Sequence, residues 1–447
     1  MVKDSIHPLK VPSLFPFKFV NMNNKSVLTC IFSALLILSC NKDVIVENDF
    51  EILDDNDIVK LANSNASLTS LERLGKAIYF DPRFSEPIYR QSCSSCHSPN
   101  NGWVGFGAGP RSRGGGRGAI AGIPEGAVFG KYGGRASPSA AYATFSPVFR
   151  PEKGTGDDEF IGGLFWDGRA TGRRVPGNPA AEQALGPLVS PSEQNHANPL
   201  QVLNKIITSE SYLTLWSNAF GTRTIPTATA LEIEKSYQRV GIAIAAYEGS
   251  QEVNSFNSKY DAYLRKEIDL SPLEKKGLEL FNSDAKCFRC HTSESVAGRP
   301  VIFSDFKYYN LGIPKNLQNP RYWTDPNFVD LGLGGYLKNQ TNNLGWREAA
   351  NKNYGKFKTP TLRNVGKGFN RRFMHNGAFK TLEEVVHFYN TRDDSDFRNF
   401  WPSPEYGENI QNGWMGNLGL TPYQESAVVA FMKTLSDGFN NPTQRIL

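Results

Sequence analysis

Five stretches of the chain open on a hydroxyl residue, place an acid or amide three positions later, and run into apolar residues at helical spacing. Thr69-x-x-Glu72 leads into Leu71, Leu74 and Ile78, and Thr229-x-x-Glu232 into Leu231, Val240, Ile244 and Tyr247. Ser271-Pro272-Leu273-Glu274, Thr381-x-x-Glu384 and Thr421-Pro422-Tyr423-Gln424 follow the same rule. The hydroxyl can accept an orphan amide of the first turn while the acid or amide reaches back to the cap, so each predicts a helix start. Convincing two-residue alternation is scarce, which predicts a mainly α fold with long loops. Residues 101–135 hold thirteen glycines and cannot be helical. Such a loop is usually functional or mobile, and its Arg111, Arg113 and Arg117 are expected to be solvated.

A weak internal repeat is visible. Leu71-Glu72-x-x-Gly75 and Leu273-Glu274-x-x-Gly277 each begin a helix that runs toward a Cys-x-x-Cys-His. Two similar halves follow, 65–268 and 269–447. Upstream, Val27 to Ser39 is an apolar run of thirteen residues preceded by Lys25, too short to span a bilayer but suited to a signal-peptide core. Ile37-Leu38-Ser39-Cys40 resembles a bacterial lipobox, which predicts cleavage before Cys40 and lipidation of its thiol. Residues 1–39 are then a signal peptide, of which 1–21 are read as a start-site error because Met22 opens a more typical leader. Residues 40–64 are read as a lipidated flexible tether. The chain is expected to be exported to the periplasm or cell envelope and held on a bacterial membrane by its lipid.

Charge adds little. The 447 residues carry a net +5, but +3 of this lies in residues 1–39. No nucleic-acid partner is expected.

The six cysteines matter more. Cys93-Ser94-Ser95-Cys96-His97 and Cys287-Phe288-Arg289-Cys290-His291 share one spacing. It lets two thiols reach the two vinyl groups of a haem while the adjacent imidazole turns under the iron. A redox dithiol would not need the fixed histidine, and a zinc site would require the two pairs to come together. Two such motifs in an exported chain predict two covalently bound c-type haems, in two cytochrome c-like domains. With Cys30 removed, Cys40 lipidated and four thiols on haem, no cysteine is left for a disulfide.

Between and after the motifs lie Leu164-Phe165-Trp166-Asp167-Gly168-Arg169-Ala170, Gln183, Gly186-Pro187, Glu193, Lys358-Thr359-Pro360-Thr361-Leu362-Arg363-Asn364-Val365, and Met374-His375-Asn376-Gly377. With Leu74-Gly75 and Phe80-Asp81-Pro82-Arg83, this series resembles the dihaem cytochrome c peroxidase and MauG family from residue 70 to about 392. The resemblance implies that His97 holds a peroxide-reactive haem and His291 an electron-transfer haem, with Trp166 relaying electrons between them. Gln183 and Glu193, with Pro187 between, would line the distal face of the reactive haem. A carboxylate there can move a proton from the inner to the outer peroxide oxygen, and the amide can orient peroxide. His375 would belong to the cofactor surroundings.

The chain also departs from the family pattern. The methionine expected fourteen residues after the histidine of the family's Tyr-x-His-x-Gly motif is here Tyr389, as in MauG-like members, and Tyr389 becomes the expected second ligand opposite His291. Between His97 and Glu193 there is no histidine, and His196 is a poor candidate, so the reactive iron is expected to keep an open position. The family's calcium site would fall on Tyr142, Asn370 and Arg372, where an asparagine is lost and a cation gained; backbone oxygens alone would have to serve, which argues against calcium. The surface tryptophan that MauG carries two residues before its second motif is Ala285 here.

The function expected is a dihaem peroxidase reducing hydrogen peroxide to water. Its electrons would come from a small cytochrome c or cupredoxin through the C-terminal haem. The alternatives are a MauG-like oxidase that stores two oxidising equivalents across Trp166 and oxidises a protein or organic substrate, and a non-enzymatic dihaem electron carrier.

Overall fold

A computed structural model describes residues 54–107, 119–152, 159–295, 300–397 and 400–440. All five capping patterns open helices, with hydroxyl and acid or amide bonded reciprocally in each. The helices used below are α1 (Asp55–Asn63), α2 (Ser70–Phe80), α3 (Pro179–Val189), α4 (Pro199–Ile207), α5 (Glu210–Phe220), α6 (Ala230–Glu248), α7 (Pro272–Phe281), α8 (Leu382–Thr391) and α9 (Pro422–Lys433). Extended structure among the described residues is limited to two-residue antiparallel ribbons. The fold is mainly α.

One expectation needs correction. Residues 55–63 are not tether but α1, capped reciprocally by Asp54 and Asp57. Ile58 and Ala62, four apart, fall on one face and are fully buried. The polar composition had hidden that narrow stripe. The leader, Cys40, and Arg111, Arg113 and Arg117 lie outside the described residues.

The repeated Leu-Glu-x-x-Gly has a steric cause. α2 packs across α6, and α7 across α9. A Cβ at Gly75 would stand 1.8 Å from the Ala243 carbonyl oxygen, and one at Gly277 would stand 1.9 Å from that of Ala427. Only glycine lets each pair of backbones approach so closely. Around the first crossing gather Leu74, Ile78, Tyr79, Leu185, Trp216 and Tyr247; around the second, Leu280, Phe281, Phe303, Phe431 and Leu435.

The described residues lie within one compact unit, tied by buried charge. Arg135 donates to Asp167 at 2.6 Å and to Asp330 at 2.7 Å, holding the Asp330 carboxyl down at about 2. Arg363 makes two 3.0 Å bonds to Asp261.

Candidate functional site: two cavities sharing one wall

Each Cys-x-x-Cys-His is a short turn in which the histidine N–H donates to the carbonyl of the first cysteine at 2.9 Å. The His97 Nδ1–H donates to the Trp103 carbonyl at 3.3 Å, and the His291 Nδ1–H to that of Phe303 at 2.9 Å. Carbonyl oxygen can only accept, so each Nδ1 carries the proton and each Nε2 is left with its lone pair. Burial lowers the pKa of both imidazoles, favouring this neutral form.

The two histidines face different cavities. His291 lines one of about 210 Å³, with Cys287, Cys290, Tyr389 and His375. Leu382, Val385 and Val386, on the same face of α8 as Tyr389, line it as well. So do Met374, Met415 and Met432. Burial and the nearby Cys290 and Cys287 thiols raise the Tyr389 phenol well above its ordinary value.

His97 lines the other cavity, of about 60 Å³, with Phe165, Trp166, Gln183 and Glu248. Glu193, Pro187 and His196 are not among its lining residues. Glu193 lies beside the first motif, close enough for its charge to push up the Cys93 and Cys96 thiols. Burial raises the Glu193 pKa, against a hydrogen bond from Ser190 and the charge of Arg169. Pro187 sits inside α3 and lacks the N–H that would donate to the Gln183 carbonyl four residues earlier, loosening the helix where Gln183 faces the cavity.

Trp166, Lys358, Pro138, Ser139, Pro360 and Thr361 line both cavities and so form their common wall. It is built from two copies of one loop pair. Leu164 bridges Ala170 around Trp166, and Phe373 bridges Phe379 around His375. Phe165 and Met374, just before the two rings, both have left-handed φ, 61° and 70°. Each loop takes a donor from the other half of the chain: Lys358 N–H bonds the Trp166 carbonyl at 2.9 Å, and Ala136 N–H bonds the His375 carbonyl at 2.8 Å. The Trp166 indole N–H donates to the Ala136 carbonyl at 2.8 Å, fixing the ring. His375 stacks on Phe357 with centroids 3.5 Å apart, and its Nε2 is 3.8 Å from a Glu405 carboxylate oxygen.

The di-haem cytochrome c peroxidase family matches residues 69–269. Among solved structures, the chain is similar to the diheme peroxidase BthA of Burkholderia thailandensis, with 31% identity, TM-score 0.66, and coverage of 83% of this chain and 86% of that one. The chain belongs to the dihaem cytochrome c peroxidase and MauG family. Among curated relatives, it is 29% identical to the methylamine utilization protein MauG of Paracoccus denitrificans over 82% of this chain and 89% of MauG. The cytochrome c551 peroxidase of Pseudomonas aeruginosa is 28% identical over 54% of each chain.

The family implies two c-type haems, and the residues fit them. Both cavities are largely apolar, and each is lined by the histidine of one Cys-x-x-Cys-His motif, whose Nδ1 is already engaged. The Cys96, Cys287 and Cys290 thiols are pushed up to about 12 by burial, which keeps them out of the thiolate form a redox dithiol uses. Among the described residues no three His, Cys, Asp or Glu side chains gather as a metal site, so the motifs do not pool into one zinc centre. At the positions of the family's calcium site, Tyr142 donates its hydroxyl to Asp437 at 2.7 Å, Arg372 donates to Gln318 at 3.1 Å, and the Asn370 carbonyl accepts from Gly107 N–H.

Sequence reading missed Glu248, whose buried carboxyl faces the same cavity as His97 and Gln183. Its place at the end of α6, beyond an apolar run, gave it the look of a helix-end acid. Sequence reading also missed the pairing of Trp166 with Lys358, which no spacing encodes.

Proposed function

We propose that this protein reduces hydrogen peroxide to water at the His97 cavity, drawing electrons through the His291 cavity from a small cytochrome c or cupredoxin. The observation that supports this reading is the shared wall, in which Trp166 lines both cavities, each with a histidine prepared in the same way. The lobes around them would be residues 65–268 and 269–447. Export, lipidation at Cys40 and attachment to a membrane surface belong to the same proposal; no described helix is long and apolar enough to cross a membrane.

His97 and His291 would hold the two irons through Nε2, with Cys93 and Cys96, and Cys287 and Cys290, attached to the haem edges. Tyr389, on the same cavity as His291, would supply a second protein ligand to that iron. When bound, the haems supply an iron that takes peroxide and a second iron that passes electrons to it. The Gln183 amide donates to peroxide and orients it. Glu193, off the cavity wall but beside the Cys93-x-x-Cys96 turn and kept protonatable by burial, would reach peroxide from the motif side, taking a proton from one oxygen and returning it to the other as the O–O bond breaks and water leaves. One peroxide, two electrons and two protons give two waters. Trp166 offers an aromatic bridge held rigid by its indole bond to Ala136.

Tyr389 on the larger cavity favours a second reading, a MauG-like oxidase acting on a protein or organic substrate. Mixing holoprotein with peroxide and a reduced small cytochrome c separates the two. The peroxidase reading expects two cytochromes oxidised per peroxide at many turnovers. Peroxide consumption that leaves the cytochrome reduced and instead oxidises an added protein or organic substrate supports the oxidase.

A further inference from the structure

Cations drawn into the interior of this protein are paired where their role is structural, as the partly buried Arg135 is with Asp167 and Asp330 and the buried Arg363 with Asp261. Two cations at the cavities are not. Lys358 lines both cavities, and its Nζ reaches only the Thr359 carbonyl, at 3.3 Å, and the face of Phe306, at 5.6 Å. The nearby Asp305 carboxylate already accepts from the Tyr309 hydroxyl at 2.7 Å and the Lys307 N–H at 2.9 Å. Arg371 lines the larger cavity over the Phe373 ring, 5.6 Å away. Its Nη1 bonds the Asn364 and Lys367 carbonyls, and its Nε is buried without a partner. Neither side chain forms an ion pair among the described residues. Burial pulls Lys358 down to about 8 and Arg371 to about 10. A cation kept at an apolar wall without a counter-charge is costly, unless an anion arrives with whatever fills the space.

Haem brings such an anion, since its otherwise apolar ring carries two propionate carboxylates on one edge. We infer that Lys358 and Arg371 are the propionate-binding groups, Lys358 at the wall shared by both cavities and Arg371 in the His291 cavity. This rests on the haem reading above. Because Lys358 lines both cavities, its positive charge would favour the reduced form of a haem held in either one.

The test compares holoprotein with Lys358→Met, Lys358→Arg and Arg371→Met by haem content, resonance Raman spectra and redox titration. Two haems per chain are expected in all. In the methionine variants the propionate bending bands should shift and the ferric form should gain about tenfold, 59 mV for one electron. Lys358→Arg should keep the potentials yet move the propionate band, and it serves alone if the methionine variant does not accumulate. Two bound haems with propionate bands and potentials like wild type in every variant obtained overturn the inference. A wild-type protein without two haems overturns instead the haem reading beneath it.

Discussion

Trp166 and His375 sit at matching positions of two copies of one loop, and their rings meet edge to face with centroids 6.5 Å apart. The carbonyl of each accepts an N–H from the other half of the chain. The wall between the cavities is thus a hydrogen-bonded exchange between the halves. Trp166→Phe keeps the ring volume roughly but loses the indole bond to Ala136 and the extended ring. It should leave haem content unchanged and slow electron transfer between the haems about tenfold or more. Flash or stopped-flow reduction of the second haem measures this; an unchanged rate would remove Trp166 from the path.

Gly75 and Gly277 should be equally intolerant of a methyl group, since each would meet a backbone oxygen that cannot rotate away. Gly75→Ala and Gly277→Ala should each cost about 1–3 kcal/mol or more as the helices are forced apart. Denaturant midpoints read this directly. Wild-type stability in either variant would mean that the crossings are looser than 1.8–1.9 Å implies.

Burial pushes Glu248 up to about 8 from its ordinary 4.5, and Cys93 and Tyr79 face it. The folded chain therefore keeps a proton that the unfolded chain releases. The stability this contributes is complete below pH 4.5 and is lost as pH rises toward 8. Glu248→Gln stays neutral throughout, so the fall in unfolding free energy between these pH values should shrink by several kcal/mol, up to about 5 kcal/mol. Equal slopes for variant and wild type would show that the carboxyl titrates normally.

Tyr389 shares its cavity with Met415, which is 5% exposed and comes from outside α8. The ligand proposal expects Tyr389→Phe to change the low-spin optical and EPR signals of the second haem, and Met415→Leu to leave them alone. The opposite pair of results would assign the position to Met415.

Much of this was legible in the sequence because it is local. Capping boxes act over three residues, and the Cys-x-x-Cys-His turns bring their own geometry, so both were readable without a partner. Even the repeated glycine could be seen, though not the carbonyls of Ala243 and Ala427 that require it. What stayed hidden depends on distant segments meeting. Lys358 could be read as the first residue of a motif, but not as a neighbour of Trp166 and of two cavities. α1 was concealed by acidic residues on its outer face, and Glu193 stands ten residues from Gln183 in sequence yet off the cavity wall that Gln183 lines.

The central claim is that peroxide is reduced on the His97 side with electrons from the His291 side. Rapid mixing of protein reduced only at the second haem with one equivalent of peroxide tests it most directly. The second haem should be oxidised in the same phase as peroxide is consumed, and Glu193→Gln should slow that phase about 10²–10⁴-fold. A second haem that stays reduced while peroxide disappears would contradict it.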